Sequence, residues 1–165
     1  VAGHFNEAVN VRRALDAIGW LPQAFFATIG PAHPSWGATM GPLAEGAFAT
    51  SIWEPHKSVH YPRSQAFAAA FRERYKIDPS YHAATAYCVG QLLVAAVQLT
   101  KSLERGPLRD ALSLLDTYCV IGRYKVDRTG RQVKRLPLIV QWQGGQKEIV
   151  WPEEVSSAEP IFGPK

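Results

Sequence analysis

Apolar residues in the first twenty positions recur with a helical period. Ala8, Val11, Leu15 and Ile18 follow at steps of three and four, leaving Glu7, Arg12, Arg13 and Asp16 to solvent, which predicts a helix over about 7–18. Asn6 stands as its N-cap and Gly19 as its stop, and Pro22 bars continuation. The apolar run 24–28 (Ala-Phe-Phe-Ala-Thr) has the length of a buried strand. Helix, turn and buried strand make half of a βαβ unit, so a parallel sheet is expected.

A loop over 29–34 leads into a weak helix over 35–43, disturbed by Gly37, Gly41 and Pro42, and then a strand over 46–53. Residues 54–62 hold two prolines and two histidines without periodicity and read as a loop or crossover. Phe67, Phe71 and Tyr75 stand at four-residue steps on a helix over 63–75. The longest helix, 80–103, is expected to turn Ala84, Tyr87, Cys88, Leu92, Ala95, Ala96 and Leu99 inward. Pro107 suits the opening of a short helix over 108–115. At Tyr118 the period drops towards two. Tyr118, Val120, Tyr124 and Val126 alternate, Asp127–Gly130 turns the chain, and Leu138, Val140 and Trp142 alternate again. Gln143-Gly144-Gly145-Gln146 makes a hairpin into 148–151, so 118–151 is expected to be β-rich, with Trp142 and Trp151 as packing residues. The tail after Pro152 reads as a surface strap.

Of the 165 residues, 47% are hydrophobic and 19% charged, the balance of a folded globular chain rather than a disordered one. The net charge of +4 is largely local: Arg123, Lys125, Arg128, Arg131, Lys134 and Arg135 crowd one stretch opposed by Asp127. Only Tyr124 among them could stack on a base, so a solvated hairpin tip is expected and no nucleic acid partner. Cys88 and Cys119 show no metal-ligand spacing. They read as buried thiols, with a single bridge left open. The run 83–99 is alanine-rich and interrupted by Thr85, Gln91 and Gln98, which favours a buried helix over a membrane span. Val1 follows no charged-then-apolar leader, so the start of the chain carries no targeting information.

Catalytic motifs are missing from the sequence: it holds no GxSxG, GxxxxGK[ST] or GxGxxG. His56 and His60 are four apart, but Pro55 and Pro62 oppose the helix that would aim both rings at one metal. No enzyme activity, metal or cofactor is expected. His4, His33 and His82 stand where elements begin or end, the places where open α/β sheets bind ligands beyond strand ends. Helix N-termini there favour an anion. Trp36, Trp53, Tyr61 and Tyr81 bring aromatic surface to the same loops, as small-ligand clefts do, with core packing an equal reading for Trp53.

The order of these pieces resembles the C-terminal half of type I periplasmic binding proteins, in the branched-chain amino acid and amide-binding group. The resemblance rests on Ala2-Gly3-His4-Phe5 with the helix ending Ala17-Ile18-Gly19, on Pro42-Leu43-Ala44-Glu45-Gly46, and on Phe67…Phe71-Arg72-Glu73-Arg74-Tyr75…Asp78-Pro79-Ser80…Ala86-Tyr87. It continues in Gly122-Arg123-Tyr124-Lys125-Val126-Asp127-Arg128-Thr129-Gly130 and in Val140-Gln141-Trp142-Gln143-Gly144-Gly145 with Ile149-Val150-Trp151-Pro152. It implies an α/β fold of Rossmann-like lobes, a parallel sheet with C-terminal antiparallel hairpins, and three crossovers. Residues 1–53 would belong to the second lobe, 54–106 to the first, and 107–165 would return to the second. Most of the first lobe would then lie outside these 165 residues, and a homodimer through the helices of 63–103 is the expected way to cover their apolar faces. The resemblance implies a periplasmic or extracellular component of an ABC importer, presenting a solute to a permease. A sensing or receptor domain of the same fold is the alternative. Carried onto this sequence, the solute contacts fall at His4, Phe5, Gly30, Pro31, His33, Trp53, Tyr81 and His82. The family's amine-binding acid would fall near 29–31, where no acid stands, so a carboxylate, an aromatic acid or an amide is favoured over an α-amino acid.

Overall fold

A computed structural model describes residues 1–56, 59–135 and 137–163. The expectations for 57–58, 136 and 164–165 (parts of the crossover loop, the β-rich segment and the tail) lie outside the described residues. Helix α1 spans Phe5–Ala17, with Gly19 at φ +67 closing it as expected. It starts two residues early because His4, not Asn6, takes the N-cap, and the Glu7 carboxylate accepts the His4 N–H at 3.0 Å. Strand β1 (Phe25–Phe26) follows, then a 3₁₀ turn at Gly30–Ala32, helix α2 (Trp36–Met40), a second 3₁₀ turn at Gly41–Ala44, and strand β2 (Ala47–Ser51).

Two compact units divide the chain, Val1–Ser58 with Pro137–Lys165, and Val59–Leu136. In the first unit, strands β5 (Leu138–Gln143) and β6 (Gln146–Trp151) complete a sheet of order β1-β2-β5-β6. β1 and β2 are parallel, while β2, β5 and β6 run antiparallel, with Ser51 opposite Leu138 and Phe48 opposite Gln141. One face of this sheet carries the core of Ala8, Val9, Phe25, Ala27, Trp36, Met40, Ala44, Ala47 and Trp142. Two glycines permit it. A Cβ on Gly30 would stand 2.4 Å from Ala8 Cβ, and one on Gly37 2.5 Å from the Trp142 ring. On the other face the tail lies as a strap: Phe162 stacks on Phe48 at 5.6 Å, and the Gln141 amide and the Ile161 backbone exchange bonds of 2.6 and 2.8 Å. Of the two tryptophans expected as core or hairpin packing, Trp142 joins the core, while Trp151 lies exposed at the end of the edge strand, opposite Ile139.

The second unit contains helices α3 (Ser64–Tyr75), α4 (Tyr81–Thr100) and α5 (Arg105–Leu114), and strands β3 (Thr117–Cys119) and β4 (Gly122–Tyr124) as a separate two-stranded sheet. Ser80 Oγ caps α4 by accepting the Ala83 N–H at 3.3 Å. The four-residue aromatic stripe forms as expected: Phe67 and Phe71 lie 5.8 Å apart, Phe71 and Tyr75 4.6 Å, and Tyr87 of α4 approaches Phe67 at 4.8 Å. The expected burial of α4 holds for Ala84, Cys88 and Ala96. Leu92 and Ala95 are half-buried, and Tyr87 and Leu99, also expected inward, are exposed, as are Val89, Leu93 and Val94. By length and composition alone α4 could cross a membrane. Pro107 is the third residue of α5, which opens at Arg105 instead.

Cys88 and Cys119 form a disulfide, which settles the reading left open against two thiols. Both are buried, and α4 and β3 bring their Cα atoms to 5.4 Å, the ordinary span of a bridge. Beside it the Gln91 side chain accepts the Val120 N–H at 3.1 Å. These links place 107–135 with the helices, and the chain returns to the first unit at 137. The basic stretch resolves into separate environments. Asp116 takes both Arg123 and Lys125, which holds its carboxyl well below the usual range. Asp127 is lowered by bonds from the Thr129 hydroxyl and N–H, and the tip at 127–130 is exposed, as expected. Tyr61 lies half-buried against Gly122, and burial raises its phenol against the opposing pull of Arg135.

Candidate functional site

In the first unit, three loops meet beyond the carboxyl ends of the parallel strands. The Thr28 hydroxyl ties two of them together, donating to the Gly3 carbonyl at 3.0 Å and accepting the Gly3 N–H at 3.3 Å. The Thr50 hydroxyl donates to the Thr28 carbonyl at 2.7 Å, which sets the end of β2 beside the same loop. This is the position at which open α/β sheets take ligands.

Phe5 and His33 come together there, with His4 next to Phe5 at the start of α1. The Phe5 and His33 rings meet edge-on at 5.2 Å, and Phe5 meets Trp36 at 6.1 Å. His33 Nδ1 accepts the Ser35 N–H at 3.1 Å, so in the neutral ring Nε2 carries the proton and can donate. His4 and His33 are exposed and Phe5 is half-buried. Gly30 and Pro31 lie beneath the surface, with the Pro31 carbonyl accepting from Trp142 Nε1 at 2.6 Å. Trp53 is fully buried, its carbonyl accepting from the Ser51 hydroxyl at 2.9 Å. These three shape the loops from below and present little surface of their own.

A buried ion pair, not singled out from the sequence, underlies the same loops. Lys147 Nζ bonds Glu54 Oε2 at 2.7 Å and the Ala32 carbonyl at 2.8 Å. Glu54 is 5% exposed, and its Oε1 has no hydrogen-bond partner; neither has the buried Trp36 Nε1. The signal in the sequence is slight, because Glu54 lies in an aperiodic loop far along the chain from Lys147. His56 Nε2 faces Glu148 Oε2 at 3.3 Å, and Glu148 also accepts the Ser157 hydroxyl at 2.5 Å. Among the described residues, no group of three or more His, Cys, Asp or Glu side chains could hold a metal.

Tyr81 and His82 belong to the second unit, at the capped start of α4. Their rings stack at 4.0 Å, with Tyr81 half-buried and His82 exposed. The Tyr81 carbonyl accepts the Thr85 hydroxyl at 2.8 Å. Each unit therefore carries its own pairing of an aromatic ring with an exposed histidine.

A family model described as periplasmic binding protein matches residues 1–147. Among solved structures, the chain is similar to a leucine-binding protein from Thermotoga maritima, at 18% identity and a TM-score of 0.75, over 90% of this chain and 42% of that one. A branched-chain amino acid transporter substrate-binding protein from Streptococcus pneumoniae, in complex with isoleucine, matches at 23% identity and TM-score 0.76, over 92% of this chain and 44% of that one. A leucine-, isoleucine-, valine-, threonine- and alanine-binding protein from Brucella ovis matches at 20% identity and TM-score 0.69, over 82% and 35%. The chain spans less than half the length of each of these three structures.

Proposed function

The chain belongs to the periplasmic binding protein family, and we propose that it acts in solute capture outside the cytoplasm, as part of the binding component of an ABC importer that hands its solute to a permease. The observation that carries the reading is the meeting of Phe5 and His33, next to His4 in the chain, beyond the strand ends of a sheet of this family's fold. An aromatic edge and imidazole donors suit a small planar or carboxylate-bearing solute. The proposed contacts are His4, Phe5 and His33 with Gly30, Pro31 and Trp53 beneath them in one unit, and Tyr81 and His82 in the other. No acid stands at 29–31, and the charge of the buried Glu54 is balanced by Lys147, which favours a carboxylate, an aromatic acid or an amide over a free α-amino acid. Catalysis forms no part of this reading.

The Cys88–Cys119 bridge supports a periplasmic or extracellular location, since such bonds persist in oxidising compartments. We also propose that the exposed face of α3 and α4 pairs with a second copy of the chain. A sensing or receptor domain would use the same contacts and differ only in what it reports to. Thermal unfolding of the chain against benzoate, phenylacetate, short amides, leucine, isoleucine and valine tests the solute class. A ligand bound only by the native state raises the midpoint with concentration. A midpoint raised by carboxylates or amides and abolished by Phe5→Ala with His33→Ala is expected. A response to the amino acids alone would overturn the solute class, and no response to any of them would count against the site.

A further inference from the structure

Helix α5 is strongly amphipathic, yet none of its residues is buried. Arg105, Leu108, Arg109 and Leu112 stand at i, i+3, i+4 and i+7, which places them on one face. That face borders a groove of about 1160 Å³, whose opposite side is formed by Tyr124, Val126 and the turn at 127–130. The groove is open and exceeds the roughly 300–1,000 Å³ of ordinary small-molecule sites.

Its charge is one-sided. Arg105, Arg109 and Arg128 line it and, among the described residues, form no ion pair. The neighbouring bases Arg123 and Lys125 are already held by Asp116. The single acid in the lining, Asp127, spends Oδ1 on the Thr129 N–H, the Thr129 hydroxyl and the Arg131 N–H at 2.8, 2.7 and 3.1 Å. An apolar stripe with two guanidiniums one turn apart, and a third across the groove, complements a helix with carboxylates flanking leucines. We propose that this groove docks an acidic amphipathic helix of a partner protein, a surface independent of the solute contacts. Nucleic acid is a poor fit, because Tyr124 is the lone aromatic in the lining and its hydroxyl is engaged with the Leu112 carbonyl at 3.2 Å. A concave trench also suits an inserted helix better than a flat anionic bilayer.

The test uses a fluorescein-labelled synthetic helix of about sixteen residues, with glutamates at four-residue steps beside a leucine stripe. Its glutamine counterpart and vesicles of phosphatidylcholine with phosphatidylglycerol serve as alternatives. Anisotropy is expected to show saturable binding of the glutamate helix, at least tenfold weaker for the glutamine form and weakened by salt. Arg105→Glu with Arg109→Glu should lose it, and Arg105→Lys with Arg109→Lys should retain most of it. All four changes fall at exposed positions outside the core, and circular dichroism would confirm the fold. Equal binding of both helices, binding untouched by charge reversal, or binding to vesicles alone would overturn the proposal.

Discussion

Replacing Cys88 and Cys119 together by alanine removes a link that closes a long stretch of the second unit. The two residues are 31 apart in sequence, and the stretch between them runs through the rest of α4, all of α5 and most of β3. In the chain-entropy account, closing a loop of that length costs the unfolded state about 12 cal/mol/K, or about 3.7 kcal/mol at 25 °C. Little offsets this in the native state. Both cysteines are buried, and the Gln91 bond to the Val120 N–H secures the same junction at its modest net worth of about 1 kcal/mol. With a urea slope near ~2 kcal/mol/M, the midpoint of the second unit should fall by about 2 M. Urea titration of the oxidised chain against the double variant, followed by circular dichroism, reads this directly. Maleimide labelling in denaturant without reductant should find no free thiol in the wild-type chain. Two reactive thiols, or a midpoint moved by less than about 0.5 M (about 1 kcal/mol at that slope), would refute the reasoning.

Lys147→Met should destabilise the first unit by about 3–5 kcal/mol, because Glu54 is left buried with neither oxygen paired; a urea titration showing less than 1 kcal/mol would mean that the pair contributes little. When absorbance at 295 nm is followed upward in pH, Tyr61 should contribute a component above its ordinary range. Its folded pKa lies above the unfolded value, so its contribution to stability is present below about pH 10 and is lost as pH rises through the folded pKa, a component that Tyr61→Phe should remove. The chain should sediment as a dimer at micromolar concentration. Tyr75 and Tyr87 are 53% and 50% exposed, and covering such side chains is worth about 1.5–3 kcal/mol each; a monomer whose stability is unchanged by Phe71→Glu would exclude the pairing.

Local rules made most of the elements legible. The period at Ala8, Val11, Leu15 and Ile18 and the αL glycine at 19 mark α1, and the Gly-Gly turn marks the β5–β6 hairpin within a residue or two. Where the reading failed, a distant partner decided. Cys88 looked like a small core residue because its helix is apolar, and only the arrival of β3 shows that it faces Cys119. The apolar run of α4 suggested burial by composition, but the packing found around it buries only three of its residues. The join of 107–135 to the helices follows long-range bonds that no period records.

The candidate site shows the same division between position and partner. Histidines and aromatics at element ends could be placed beyond strand ends, because strand polarity fixes where loops emerge. What could not be read was which of these side chains stay at the surface. Gly30 and Pro31 sink because Trp142, 111 residues beyond Pro31, donates its indole N–H to the Pro31 carbonyl and faces Gly37 across a gap with no room for a Cβ. Glu54 becomes a buried acid only because Lys147, on the edge strand, reaches across to it and to Ala32. Both donors sit on the β5–β6 hairpin, so the hairpin decides which polar groups beneath the loops are neutralised. The selectivity of this site should therefore depend on Trp142 and Lys147, which lie under it, as well as on the imidazoles at its surface.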